Sequence, residues 1–357
     1  MKAEICDGEY FSPRVSTQAS PGYPAEPLTR WPARVPGSVR RSSRILSTRP
    51  GEPDGPLQVA GRARDVWTSR EGEAEVLAEA DIDVRFSAET AIEQVTVTPL
   101  VGEPHQLVGS GPGRGFRRAI AAAFPDDGDR ASLAYFLVED LTTTPLLSTF
   151  ALSRRPETDD VFVELSAGPV SLMEDVCAGY RSDGLAMELR RKNEQRSQNV
   201  AVVASDHDDD PEAAWYPIEP PADIGMCRRR RIDVVPEGDG FVVSAGFRDH
   251  SWEPDGAEAI VHEYELEASL LVDGGVLVLD SVAARPRVIP YPDCPSAASK
   301  VERLAGMALP ELRSLVLAEL RGVDSCTHLN DMVRALAELG DLTAALPQTT
   351  TLSEETT

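Results

Sequence analysis

Three side chains in the last third of this chain have chemistry that stands out: the imidazole of His262 and the thiols of Cys294 and Cys326. Imidazole nitrogen and thiolate sulfur are ligands zinc prefers, and three of them leave a fourth tetrahedral position. Water or substrate in that position makes the zinc catalytic in type, whereas Asp293 in it makes the site structural. The metal set is therefore His262, Cys294 and Cys326, and the cofactor it suits is Zn. The same residues serve metal-free catalysis. Cys326 or Cys294 is then a thiolate nucleophile and His262 or His328 its base, acting on a small organic acid or thioester, with Arg248 as carboxylate anchor. A third reading is a non-catalytic protein that binds a partner through its acidic connector or Pro-rich arm. Whether the chain is an enzyme stays open at this point.

The expected elements favour ionised thiols. Cys294 precedes Pro295, which suits the first position of a helix, and Cys326 opens the last helix. The unpaired N–H groups and dipole of a helix start stabilise anionic sulfur. His328 stands two residues beyond Cys326, and residues so spaced on a regular helix point about 200° apart. Cys326 is thus expected to face the site and His328 to make a structural hydrogen bond elsewhere. Other motifs carry less. Gly109-Ser-Gly-Pro-Gly113-Arg-Gly115 lacks the spacing of a dinucleotide loop, and Asp206-His-Asp-Asp-Asp210 lacks the glycine and distant glutamate of a calcium loop. The Arg228–Arg231 run reads as a solvated strand entry, and no GxSxG, HExxH or CxxC occurs.

The elements that must hold these residues recur. Arg41-Ser-Ser-Arg-Ile45 matches Arg228-Arg-Arg-Arg-Ile232, Ala60-Gly61 matches Ala245-Gly246, and Arg64-Asp65 matches Arg248-Asp249, at offsets between 184 and 187 residues. Alternating strands follow in both copies, with Ile82, Val84 and Phe86 on one face of the first and Leu266, Ala268 and Leu270 on one face of the second. Ala78 or Glu79 stands opposite His262, and the first copy has no cysteine. The second copy is expected to hold strands over 241–250, 259–272 and 276–285, then helices over 296–308, 311–320 and 326–339. The fold class is α+β: two divergent repeats, each an antiparallel three-stranded meander followed by helices packed on one face. The expected organisation is a disordered Pro-rich arm over 1–40, a degenerate first repeat over 41–155, and a connector over 156–227 with a strand at Val161–Leu165. The second repeat with the site covers 228–340, and a flexible tail 341–357.

Composition narrows the function classes. A formal charge of −24 disfavours phosphate backbones and anionic lipid, so neither nucleic acid nor membrane is an expected partner, while a small molecule is. Five scattered cysteines and no signal-peptide pattern point to a reducing cytoplasm, and no apolar run reaches the roughly 18 to 20 residues of a membrane span. Nothing in the composition sets an oligomeric state.

Asp175-Val-Cys177-Ala-Gly179, Arg228-Arg-Arg-Arg231-Ile232-Asp233, Arg248-Asp249, His262-Glu-Tyr-Glu, Pro292-Asp-Cys294-Pro295 and Cys326-Thr-His328-Leu329 fall in order over residues 41–340. By these motifs the chain resembles the uncharacterised bacterial domain-of-unknown-function family 2889, which implies no particular activity. Residues 259–340 also resemble, in architecture, the U-type iron–sulfur cluster scaffolds. Those have three strands then helices, with cysteines where His262, Cys294 and Cys326 stand here. The scaffold's third cysteine follows a histidine directly, whereas Ser325 precedes Cys326.

Overall fold

A computed structural model describes residues 26–113, 115–166, 170–192, 194, 199–204 and 219–346. Its frame is one antiparallel sheet of nine strands: β1 (Val39–Thr48), β2 (Leu57–Thr68), β3 (Ala74–Phe86), β4 (Ile92–Thr98), β5 (Ala201–Val203), β6 (Gly225–Glu237), β7 (Gly240–Trp252), β8 (Glu258–Asp273) and β9 (Val276–Val288). The order is β4-β3-β2-β1-β6-β7-β8, and β8 is completed by β9 along most of its length and by β5 near its start. Among the described residues nine α-helices follow: α1 (Phe116–Ala123), α2 (Asp127–Arg130), α3 (Leu133–Asp140), α4 (Thr144–Ser153), α5 (Asp159–Ser166), α6 (Leu185–Arg191), α7 (Leu309–Glu319), α8 (Thr327–Ala335) and α9 (Leu339–Ala344).

The mixed α and β composition agrees with expectation, but the strand count differs. β1–β4 and β6–β9 are four-stranded runs rather than three-stranded meanders, and β1 pairs with β6 to fuse them into a continuous sheet. The strands of residues 259–340 therefore sit in a larger sheet than the three-stranded scaffold architecture expected for them. The unexpected strand is the arginine run. In a buried central strand, successive side chains alternate between faces, so charge at every position masks the usual apolar pattern. Arg228 and Arg230 meet Asp140 on the helical face, while Arg229 meets Glu258 and Arg231 meets Asp233 behind the sheet. The run is a buried strand and not a solvated entry.

On the helical face, Ile45, Ala63, Ile82, Ile232, Phe247, Tyr264 and Leu266 point from the strands into one core with Phe136, Leu312, Leu329, Met332 and Val333 of the helices. On the other face the segment 26–38 lies across the strands. Arg40 donates to the Pro32 and Ala33 carbonyls, Leu28 N donates to Glu263, and Arg248 donates to the Leu28 carbonyl. The guanidinium groups of Arg231 and Arg248 lie 5.8 and 5.7 Å from the Trp31 ring. The expected disordered arm is thus packed from Glu26 onward, because its backbone carbonyls satisfy buried arginines; residues 1–25 lie outside the described part. Val161–Leu165 belongs to helix α5, not a strand, with Asp159 and Asp160 at its N-terminal end where the dipole favours acids. The connector also supplies β5 to the sheet. Asp206–Asp210 and residues 347–357 lie outside the described residues.

Candidate metal centre

Asp249 sits near the end of β7, paired with His262 on β8, at the point where the register of the two strands shifts. Its carboxylate is gripped by Arg228 of the neighbouring β6: Nε donates to Oδ1 at 2.7 Å and Nη2 to Oδ2 at 2.9 Å. This two-pronged contact fixes the carboxylate plane. Burial alone would push the Asp249 carboxyl up, but Arg228 outweighs it and holds the group well below the usual carboxylate range. Arg228 is itself fixed by Nη1, which donates to Thr143 at 2.9 Å and Asp140 at 3.2 Å.

Two imidazoles stand over this carboxylate. His262 Nδ1 is 3.3 Å from Asp249 Oδ2, without the alignment of a hydrogen bond. His328, the second residue of α8, stacks on His262 with ring centroids 3.9 Å apart and planes 27° apart. His328 Nε2 is buried with no hydrogen-bond partner. Burial, with the adjacent His262, pushes the His328 imidazole well below its ordinary range, so it is neutral, as a metal ligand must be. One ligand atom from each of Asp249, His262 and His328 lies within 4.8 Å of the others, and among the described residues this is the group of three that comes so close. Asp249 is fully buried and the His262 side chain is 11 % exposed.

His262 lies on strand β8, and its neighbours are Asp249 and His328. Cys326 is the N-cap of α8 and its sulfur lies 4.0 Å from His328 Nδ1, beside the group of three. The expected divergence of Cys326 and His328 fails because the helix begins at Thr327, so the rotation per residue does not apply across Cys326. Cys294 opens a 3-10 helix, Cys294–Leu304, and its sulfur lies against Gly179, outside the group of three. A Cβ on that glycine would stand 2.7 Å from Cys294 Sγ and 4.0 Å from Cys177 Sγ. Neither thiol is activated. Burial pushes up Cys326 against hydrogen bonds from the Leu329 and His328 N–H groups, and it pushes Cys294 further, aided by Cys326 and Cys177. Cys177 itself is pushed up to about 12. Desolvation outweighs the helix start here.

Arg248, the expected carboxylate anchor, is 1 % exposed on the back face. Its Nε donates to Glu263 at 2.8 Å and its Nη1 to Glu258 at 3.0 Å, so its fork is filled internally. Sequence reasoning chose Arg248 and passed over its neighbour Asp249, which the strand's alternation turns to the helical face. It also passed over His328 as a ligand. The available signal was Asp249 itself, which is matched by Asp65 at an offset of 184 residues while the histidine opposite it is not matched.

No curated protein matches the chain. Among solved structures it is similar to lipopolysaccharide binding protein, at 9 % identity over 88 % of this chain and 92 % of that one, with a TM-score of 0.14. It is also similar to lipovitellin, in a structure of its lipid–protein interactions, at 10 % identity over 81 % and 31 %, with a TM-score of 0.12. Scores this low carry no argument about fold or ligand. Residues 226–340 match the model of the family described as "Protein of unknown function (DUF2889)". That stretch spans β6–β9, α7 and α8 and includes Asp249, His262 and His328, so the part of the chain that carries the candidate centre is the part that is similar to this family.

Proposed function

We propose that this protein binds a divalent transition metal, zinc in the first instance, through Asp249, His262 and His328. The observation that carries the proposal is the approach of these three ligand atoms to within 4.8 Å from two strands and a helix. Two imidazole nitrogens and a carboxylate suit zinc and also ferrous iron, and an arginine on the carboxylate is the kind of supporting contact that orients a ligand. The ion ties α8 to β7 and β8. Its fourth position takes the Cys326 thiol or a small molecule. Cys294 lies beyond it, with Cys177, as part of the thiol lining. We further propose that the two halves are divergent copies, of which the second carries the centre, and that the setting is a reducing compartment, which the free thiols of Cys177, Cys227, Cys294 and Cys326 support.

The test is the metal content of protein purified without added metal, together with calorimetric titration of zinc into chelator-treated protein. One zinc per chain is expected, with at least ten-fold weaker binding in His262→Ala and His328→Ala and little change in Cys294→Ser. Substoichiometric metal throughout contradicts the proposal. Loss in Cys294→Ser with retention in His328→Ala moves the site to the thiols.

A further inference from the structure

The arginine–carboxylate pair beneath the two imidazoles has a counterpart in the first half. Arg41 on β1 donates Nε and Nη2 to the two oxygens of Asp65 on β2, each at 2.8 Å, as Arg228 does to Asp249. The pairing register shifts after Asp65 as it does after Asp249. The residue opposite Asp249 is His262; opposite Asp65 it is Ala78. The helix over the second pair, α8, has Cys326 as N-cap and His328 second; α3 has Ser132 as N-cap and Ala134 second. Where one half places two imidazole rings, the other places two methyl groups. The space is open: a cleft of about 340 Å³ whose lining includes Arg41, Asp65, Ala78, Ser132 and Ala134. That volume is within the range of small-ligand sites.

The charge in the cleft selects the occupant. Arg41 is shared between Asp65 and Glu338, and Glu79 and Asp341 also line the opening, so anions are disfavoured. We propose that this cleft binds a small nitrogen heterocycle of the imidazole class, its ring nitrogen against Asp65 as His262 Nδ1 lies against Asp249. The cleft is a binding site separate from the metal centre and does not depend on it.

The experiment titrates imidazole and 4-methylimidazole into the full-length, chelator-treated chain, followed by ligand-observed NMR. Saturable one-to-one binding is expected, with a dissociation constant of order millimolar (~1 mM), as a ligand of this size can reach. Acetate does not compete. Ala78→Leu and Ala131→Leu, which fill the cleft from its strand and its loop, weaken binding at least ten-fold, and His262→Phe, which removes the ligand nitrogens of the metal centre and keeps its ring volume, leaves it unchanged. Absence of saturable binding, binding by both filled variants equal to that of the unsubstituted chain, or loss in His262→Phe overturns the proposal, the last by placing the probe at the metal centre.

Discussion

Arg228 determines what Asp249 can do. By holding both carboxylate oxygens it keeps a fully buried acid ionised and aimed beneath two histidines. Removing the guanidinium while keeping the stem strands that charge, along with Asp140, which also leans on Arg228. Breaking a buried pair in this way costs about 3 to 5 kcal/mol. Arg228→Met is therefore expected to lower unfolding free energy by about that amount in urea titrations at pH 7. A loss below about 1 kcal/mol would show that the pair is not structural. The residue scale is also where the sequence misled. His262 was legible because an imidazole on an otherwise apolar and acidic strand stands out. Asp249 was not, because a carboxylate in a chain with 59 acids carries no signal until its partner is known. His328 was misplaced by one helical boundary, since Cys326 lies outside α8.

At the scale of elements, α3, α7 and α8 are clamped through one carboxylate. Glu139 of α3 accepts from Arg313 of α7 and Arg334 of α8. Burial pushes Glu139 up, but the two arginines prevail and hold it down to about 2. A depressed acid contributes stability that is present above its ordinary value of 4.5 and is lost as pH falls toward 2. In Glu139→Gln that contribution, on the order of 3 kcal/mol at pH 7, should vanish, and stability should depend less steeply on pH between about 5 and 2. Unfolding titrations across that window check this; a parallel pH dependence in both proteins contradicts it. The correspondence of α3 with α8 makes a second prediction. Ala78→His combined with Ala134→His places two imidazoles over Asp65 and should raise zinc from one to two per chain, read by elemental analysis. Unchanged stoichiometry would mean that the two helices do not present equivalent positions. Strands β7–β9 and helices α7 and α8 were legible from period and turns, including the Asp273-Gly274-Gly275 hairpin. β6 was hidden by its arginines, and α5 by a short run of β-branched residues.

At the scale of the whole molecule, one sheet carries buried ion pairs on both faces, so its central strand β6 cannot be read from hydropathy alone. The proposed repeat rests on landmarks that are polar and short: Asp65 of Arg64-Asp65 and Asp249 of Arg248-Asp249 are the acids of two alike buried pairs, with Arg41 and Arg228. At the seam, Ser43 pairs with Arg230, a residue 187 positions on, so equivalent positions of the proposed copies face each other. What could not be read was that β1 and β6 join the two halves edge to edge, since pairing between distant strands leaves no local trace. The back-face segment 26–38 was missed for a related reason: its contacts are backbone carbonyls given to arginines, which any proline-rich sequence can supply.

The central claim is the identity of the ligands, and X-ray absorption at the zinc edge of the zinc-loaded protein tests it most directly. The account predicts a first shell of nitrogen and oxygen at about 2.0 to 2.2 Å, with the multiple scattering of two imidazoles and at most one sulfur at about 2.3 Å. A shell with two or more sulfurs would contradict it and return the site to Cys294 and Cys326.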